Sequence, residues 1–198
     1  MKQPMLAVLA TLAMTQTGAA QDGFYYGIGI GITDSETFSD AVSTFTADGR
    51  DYSIALTAGY RFATGTPLSF GIEGNLDALT GNTMADPSGR EACDNASPTW
   101  CEVDTVLRLR GTVSGLLANG SRLMASAGPV VVSGRAEEHN SSFKATRGDG
   151  MSLGLSWENA NDAFPVRIDL NVDRIRNDNL PPFSRTLDMV GLRASYMF

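Results

Sequence analysis

The sequence predicts an all-β fold, an eight-stranded antiparallel up-and-down transmembrane β-barrel. Three observations indicate it. Apolar and polar residues alternate with a period of two from Gly23 to the C terminus, the connections between alternating segments are in turn long and short, and the polar faces carry charges of both signs. Charged residues are 19% and apolar residues 42% of the chain, a composition typical of neither a disordered chain nor a helical membrane protein.

Residues 1–20 are predicted to be a cleaved signal peptide. Lys2 supplies a positive start, Met5 to Met14 form a short apolar run, and small residues end at Ala20. The alternative is a soluble protein with an apolar first helix. The run is too short to span a bilayer and has the flanks of an export signal, so we expect residues 21–198 to form the barrel domain.

Eight segments show the alternation. In the first, from Phe24 to Ile32, the even positions are large and apolar, whereas the odd ones are Tyr25 and three glycines. The others are residues 52–62, 68–78, 102–117, 122–133, 151–157, 164–172 and 190–198. The fourth places Val103 on the apolar face, and the fifth is the least regular because it contains Pro129.

The connections alternate in length. Residues 33–51, 80–101 and 134–150 form long ones, residues 63–67, 118–121 and 158–163 form short ones, and 176–186 is of medium length. This alternation predicts short periplasmic turns, longer outer loops and both termini on the periplasmic side.

A membrane barrel is favoured over a soluble one because charges occur in mid-strand on the polar faces. We predict a lumen charge network formed by Arg61, Glu73, Asp77, Arg108, Arg110, Arg167, Asp169 and Arg193. Eight strands enclose a space barely wide enough for side chains, so we expect these charges to pair and seal the barrel. A narrow continuous channel lined by the same residues is the alternative.

Aromatic residues lie near the strand ends that this topology assigns to the periplasm. They are Phe24, Tyr26, Tyr60, Phe62, Phe70, Trp157, Phe164, Tyr196 and Phe198. Their position is typical of an interfacial aromatic girdle.

Cys93 and Cys101 are predicted to form a disulfide. An exported chain meets an oxidising compartment, and the two lie close together in a segment rich in Asp, Pro and Ser. Closing so short a loop contributes roughly 2–3 kcal/mol of stability. A metal site is less favoured because the single histidine, His139, is distant in sequence, and we expect no metal and no cofactor.

The formal net charge of −7 argues against nucleic acid as a partner, because binding phosphates requires a basic face. Many acids fall in the predicted outer loops: Asp34, Glu36, Asp40, Asp48, Asp51, Asp86, Glu91 and Asp94. We expect them to be solvated. Binding of divalent cations together with lipopolysaccharide, or of a surface partner, is the alternative.

One segment could suggest an enzyme. His139 and Ser141 lie close together after Glu137 and Glu138, but a serine nucleophile needs a base within hydrogen-bond reach and a group that orients the base. In a predicted outer loop this arrangement is not fixed, so we expect a non-enzymatic protein.

Three segments carry a family resemblance: residues 22–27 (DGFYYG), residues 125–129 (ASAGP) and residues 190–198 (VGLRASYMF). They resemble the small porin-like outer-membrane β-barrel proteins of alphaproteobacteria, which are related to OmpA- and OmpX-type barrels. The acidic first loop and the Cys93–Cys101 loop depart from that pattern.

The resemblance implies a Gram-negative outer-membrane location, with outer-membrane lipid and lipopolysaccharide as surroundings. It also implies that Tyr196 and Phe198 form the signal read by the outer-membrane assembly machinery. We expect a monomer with an envelope structural or surface-interaction role. A narrow channel for small solutes is the alternative, and a lipid A-modifying enzyme is less favoured.

Overall fold

The computed structural model is a closed barrel in which each strand pairs antiparallel with its neighbours in sequence and β1 pairs with β8. It describes residues 23–39, 45–62, 64–92, 100–136, 144–159, 164–176 and 185–198. The strands are β1 (Gly23–Ser39), β2 (Phe45–Phe62), β3 (Leu68–Leu79), β4 (Trp100–Leu116), β5 (Arg122–Ala136), β6 (Lys144–Glu158), β7 (Val166–Arg176) and β8 (Arg185–Met197). The predicted fold class is confirmed.

The barrel has inverted polarity over most of its height. Ile30 is 70% exposed and Leu56 is 52% exposed on the outside, whereas Arg108 and Asp169 are buried inside. A soluble barrel would place these groups the other way round, because burying apolar side chains is what stabilises its interior. The apolar outer surface therefore fits a hydrocarbon surrounding.

Pairing of β1 with β8 closes the ladder. The pairing runs from Gly27 opposite Met197 to Ser39 opposite Arg185. Glycine is required at position 29 on the inner face of β1, because a Cβ there would lie 2.6 Å from the Ala194 backbone carbonyl oxygen. Closure satisfies the backbone groups of both terminal strands, which could find no partner in lipid.

The strands extend further outward than the sequence pattern predicted. Most of the predicted first loop, residues 33–51, is a continuation of the β1–β2 hairpin, with Thr33 opposite Asp51 and Ser39 opposite Phe45. That prediction was wrong because residues 33–37 are polar on both faces of the strand. Their hydropathy therefore does not alternate, and the sequence pattern does not mark them as a strand. The barrel wall therefore rises beyond the apolar surface.

In this raised part the polarity reverses. We use the term outer zone for the ends of the strands on the side away from the predicted periplasmic turns. Its limits are Ile32 of β1, Tyr52 of β2, Val172 of β7 and Val190 of β8, with the matching ends of the other strands. Many of its inward side chains are apolar and buried: Ala47, Trp100, Val103, Val106, Val130, Val132, Ile175, Leu187 and Met189. Its other buried inward residues are polar: Thr33, Ser35 and Thr37 on β1, Asp51 on β2 and Asp173 on β7. Its outward side chains are largely charged. The charged outward face of the outer zone indicates that water surrounds it.

A bulge in β4 changes one predicted orientation. The β4–β5 register shifts between Trp100 and Glu102 and again between Val103 and Thr105. Val103 is therefore fully buried inside, which corrects its predicted place on the apolar outer face, because a bulge resets the alternation of inward and outward side chains. No helix in the described part of the chain is long and apolar enough to cross a bilayer.

The polarity of the wall predicts how it tolerates charge. Leu56→Arg, which places a charge in mid-band on β2, should lower the free energy of unfolding by about 2–4 kcal/mol in phospholipid vesicles. Urea titration followed by heat-modifiable gel migration measures this. The matched control is Asp48→Arg on the same strand in the outer zone. If both variants lowered the free energy of unfolding equally, the assignment of the apolar outer surface around Leu56 to the hydrocarbon of the membrane would be contradicted.

Candidate functional site

The structure brings all eight residues of the predicted lumen network into the barrel interior. Each is at most 4% exposed. They come from the inward faces of β2, β3, β4, β7 and β8, where the period of two directs alternate side chains to the lumen. The lumen is therefore the polar core of this molecule.

Glu73 of β3 lies between two arginines. Its Oε1 accepts a hydrogen bond from Arg110 Nη2 at 3.1 Å and from Arg167 Nη2 at 2.9 Å. Arg167 also donates from Nε to Asp169 Oδ1 at 2.7 Å. Because Glu73 belongs to β3 and Arg167 to β7, the contact between them joins opposite walls of the barrel.

The same alternation of charge continues toward the outer zone. Arg193 Nη1 donates to Asp77 Oδ1 and its Nη2 donates to Asp169 Oδ2, each at 3.1 Å. Asp77 also contacts Arg108, whose Nε donates to Asp173 Oδ1 at 3.0 Å. The full sequence of contacts is Arg110–Glu73–Arg167–Asp169–Arg193–Asp77–Arg108–Asp173.

We call these eight residues the lumen chain. It holds four arginines and four carboxylates in strict alternation, so its formal charge is zero. A buried charge is costly unless it is paired and hydrogen-bonded, and the charge-assisted contacts here supply such partners. The chain links β3 and β4 to β7 and β8 across the lumen.

The eighth predicted residue, Arg61, belongs to a second pair near the periplasmic end. Its Nη1 donates to Glu158 Oε1 at 3.3 Å, and its guanidinium lies 4.2 Å from the centre of the Tyr25 ring. The Tyr25 hydroxyl donates to Glu73 Oε2 at 2.8 Å. Tyr25 therefore connects this pair to the lumen chain.

Sequence reasoning missed several polar residues of the lumen. Asp173 falls one residue beyond the predicted end of the seventh strand, and Glu158 was placed in a turn. Asn75 and Asn171 contact Arg110, and Arg122 Nη1 donates to the Ser114 hydroxyl at 3.1 Å. Continued alternation past the last large apolar residue was the available signal for Asp173.

An apolar layer lies above the lumen chain. The segment after β3 folds into the barrel mouth, where Met84 and Ala92 join the apolar interior of the outer zone around Trp100. The Met84 backbone N–H donates to the Cys101 carbonyl at 2.8 Å, and Ala85 pairs with Asp48. This segment thus takes the place of β3 between β2 and β4 at the outer end.

Asp51 anchors this segment. It is fully buried, which corrects its predicted place in a solvated loop, and its Oδ1 accepts from Thr80 Oγ1 and from the Asn82 backbone N–H, each at 2.8 Å. The correction follows from the longer hairpin, because Asp51 lies on the inward face of β2. A carboxylate buried at this level holds the segment by satisfying its polar groups.

The remaining predicted acids are outside the lumen. Asp34, Glu36 and Asp48 are exposed on the outer face of β1 and β2, and Glu91 is exposed in the segment after β3. Asp86 caps a turn: the Ser88 hydroxyl and the Arg90 backbone N–H donate to it and hold its pKa below the usual range. Asp40 and Asp94 lie outside the described residues.

Tyr196 and Phe198, the predicted assembly signal, lie in an aromatic cluster at the β1–β8 seam. Their rings meet edge to face at 4.8 Å between centroids, and Phe198 stacks on Tyr26 at 5.1 Å. The third contact of the cluster joins the rings of Phe164 and Tyr196, whose centroids are 5.7 Å apart. The aromatic residues thus collect at the periplasmic end of the seam, while their role in assembly stays a prediction.

Three predictions concern residues that the structure does not describe. Cys101 is fully buried at the start of β4, but Cys93 lies outside the described residues, so their disulfide stays a prediction. The signal peptide of residues 1–20 also lies outside them, as do His139 and Ser141.

The lumen chain predicts a strong effect of removing one charge. Glu73→Gln leaves Arg110 and Arg167 short of a buried counter-charge and should lower the free energy of unfolding by about 3–5 kcal/mol. Asp34→Asn is the matched control, because it breaks an ion pair with Arg50 that is well exposed, and it should cause no measurable change. Urea unfolding in the same vesicles tests both. A Glu73→Gln barrel as stable as the Asp34→Asn barrel would contradict a sealed, charge-balanced lumen.

Comparisons with known proteins show the fold. No family model and no curated protein matches the chain. Among solved structures, Ail of Yersinia pestis in complex with the heparin analogue sucrose octasulfate is 14% identical, with a TM-score of 0.51 over 90% of this chain and 100% of that one. OprG of Pseudomonas aeruginosa (12% identity, 92% and 98% of the two chains, TM-score 0.47) and Neisserial surface protein A (12%, 89% and 97%, TM-score 0.48) also match. At this identity the likeness to Ail shows that the chain has the fold of a small outer-membrane β-barrel.

Proposed function

We propose that this protein is a sealed, non-enzymatic barrel of the Gram-negative outer membrane with an envelope structural or surface-interaction role. The lumen chain carries the proposal. It crosses the section that a solute would have to pass, and its charges are satisfied by one another. Above it lies the apolar layer around Trp100 and Met84, so a hydrated ion would meet two barriers of opposite chemistry.

The outer zone supports a surface role. It lifts charged side chains beyond the apolar band on a paired, rigid wall, whereas a structural role confined to the membrane would need no such extension. Pairing continues through Ser39 opposite Phe45 and Ala136 opposite Lys144. A rigid rim loses less conformational entropy on binding than mobile loops do.

The proposed surroundings follow from the same features. Outer-membrane lipid and lipopolysaccharide would cover the apolar band, and the assembly machinery would read Tyr196 and Phe198 during insertion. We place the protein with the small porin-like barrel proteins of alphaproteobacteria, on the strength of its opening and closing strands, and propose a monomer with no nucleic-acid partner.

Conductance distinguishes the sealed barrel from a narrow pore. Refolded residues 21–198 in planar bilayers should give no current steps, because the lumen chain and the apolar layer exclude hydrated ions. A conducting porin added to the same bilayer controls for detection. Reproducible steps that grow in proportion to KCl concentration would rule out the sealed barrel.

Export predicts the mass of the mature protein. The protein isolated from outer membranes should begin at Gln21, because cleavage is expected after Ala20. After unfolding in denaturant, which exposes the buried Cys101, it should contain no thiol that reacts before reduction. Intact-mass spectrometry with and without reduction and alkylation measures both. A mass that retains residues 1–20 would refute cleavage, and alkylation of Cys101 without reduction would refute the disulfide.

A further inference from the structure

Charge is segregated around the outer zone. On β5, β6 and β7 the described outward side chains include four arginines and one carboxylate: Arg135, Arg147, Arg174, Arg176 and Asp149. On β8, β1, β2 and β4 they include one arginine and six carboxylates: Arg50, Asp34, Glu36, Asp48, Glu102, Asp104 and Asp188. The protein is acidic overall, so the basic sector on β5–β7 runs against the average composition.

The arginines of this sector begin directly above the apolar band. On β7, Val172 is the last outward apolar residue and Arg174 and Arg176 follow it; their side chains alternate with buried Asp173 and Ile175. Two residues along a strand are about 6.6 Å, so on a tilted strand the Cα of Arg174 lies only about 5 Å beyond that of Val172 along the bilayer normal. That is the depth of lipid headgroups.

Exposure keeps the guanidiniums available. The Arg174 side chain is 68% exposed even though its Nη2 lies 2.7 Å from Asp188 Oδ2. Exposed pairs of this kind contribute little to stability, so an incoming anion can share the arginine. Arg176 lies opposite Asp149 across the β6–β7 ladder, and because Arg147 and Arg174 flank this pair, the net charge there stays positive. Arginine is also the side chain best suited to hold a phosphate through two parallel hydrogen bonds.

A groove lies below the same arginines. It has a volume of about 850 Å³, and its lining contains the small outward residues Gly111, Ala125 and Ala127 beside Leu153 and Val172. A second groove of about 590 Å³ shares Ala125 and continues toward Trp157 at the periplasmic end. Small side chains between larger ones thus leave a long apolar depression in the lipid-facing wall.

From these two features we propose that β5–β7 form a binding site for a phosphorylated, acylated lipid of the outer leaflet, with the phosphate on Arg174, Arg176 and Arg147 and one acyl chain in the groove. The site rests on the proposed outer-membrane location and gives that function a specific ligand class. A groove of the same volume, about 850 Å³, lies below the acidic sector, so the arginines select the β5–β7 side for an anionic headgroup. The groove beneath them favours a lipid over free phosphate. Across the barrel, the acidic sector would repel the same headgroup.

Titration of purified, full-length mature barrel in neutral detergent with bis-phosphorylated lipid A, followed by native mass spectrometry, tests the site. Arg147→Gln/Arg174→Gln/Arg176→Gln should weaken binding by about tenfold or more, as expected for loss of charge-assisted contacts. For single variants the matched pair is Arg174→Gln and Arg50→Gln, since both arginines are exposed and each pairs with one carboxylate. Only Arg174→Gln should weaken binding.

The acyl chain is tested separately. Ala127→Leu narrows the groove and should weaken binding of lipid A with and without its phosphates, whereas Ala58→Leu, an outward alanine on β2, should not. The unmodified barrel should prefer the phosphorylated form, and inorganic phosphate should not displace it. Equal effects of Arg174→Gln and Arg50→Gln, no preference for phosphate, full displacement by inorganic phosphate, or a dimer that Ala127→Leu abolishes would each overturn the site.

These readouts are independent of the function proposed above. Heat-modifiable migration and silence in planar bilayers report on the sealed barrel. A barrel that folds and gives no current steps, but shows no preference for phosphorylated lipid A, would refute only the lipid site. A barrel that conducts and binds lipid A would refute only the sealed lumen.

Discussion

Closure of the hydrogen-bond ladder is the constraint on which the rest of the structure depends. In hydrocarbon an open sheet edge would leave backbone groups without partners, so β1 has to meet β8. Eight strands closed in this way leave an interior only as wide as side chains. The lipid-facing surface takes the apolar residues, so the interior has to be packed with polar ones. The lumen chain follows from these two demands, because a neutral, alternating set of charges tolerates exclusion from water.

The glycines and arginines of the interior are parts of one packing arrangement. Gly59 on β2 provides room for the hydroxyl end of the Tyr25 ring, since an added Cβ would lie 2.5 Å from the Tyr25 hydroxyl oxygen. Gly154 on β6 does the same for Arg110, whose Nη1 would lie 2.5 Å from an added Cβ. Long guanidinium side chains can therefore cross from one wall to the other. The geometry that seals the lumen is thus set by small residues as much as by charged ones.

The sequence allowed the eight strands, their closure and the inward side chains of the membrane part to be predicted, because there hydropathy alternates with the pleat. It did not allow prediction of the outer zone. Along Thr33 to Ser39 the inward residues are short and polar while the outward ones include acids, so no contrast marks the faces. Val103 was misplaced for another reason: a bulge is a property of strand pairing. Partners within the lumen chain depend on barrel closure, which single strands do not encode.

The reversal of polarity along the strands is what gives this small barrel a surface. In the membrane part, below the outer zone, only apolar residues are tolerated at the outward positions. Substitutions at the inward positions are constrained by the charge balance of the lumen chain. Beyond the boundary the apolar side chains turn inward around Trp100 and stabilise the wall by themselves. The outward positions of the outer zone are then released from both constraints, so their charges can be distributed freely. Arginines at the two borders of the basic sector pair with carboxylates of the acidic sector, Arg135 with Glu102 and Arg174 with Asp188. Among the described residues, the interior of the basic sector has no such role in joining the strands, and the proposed lipid site rests on that part of the segregation.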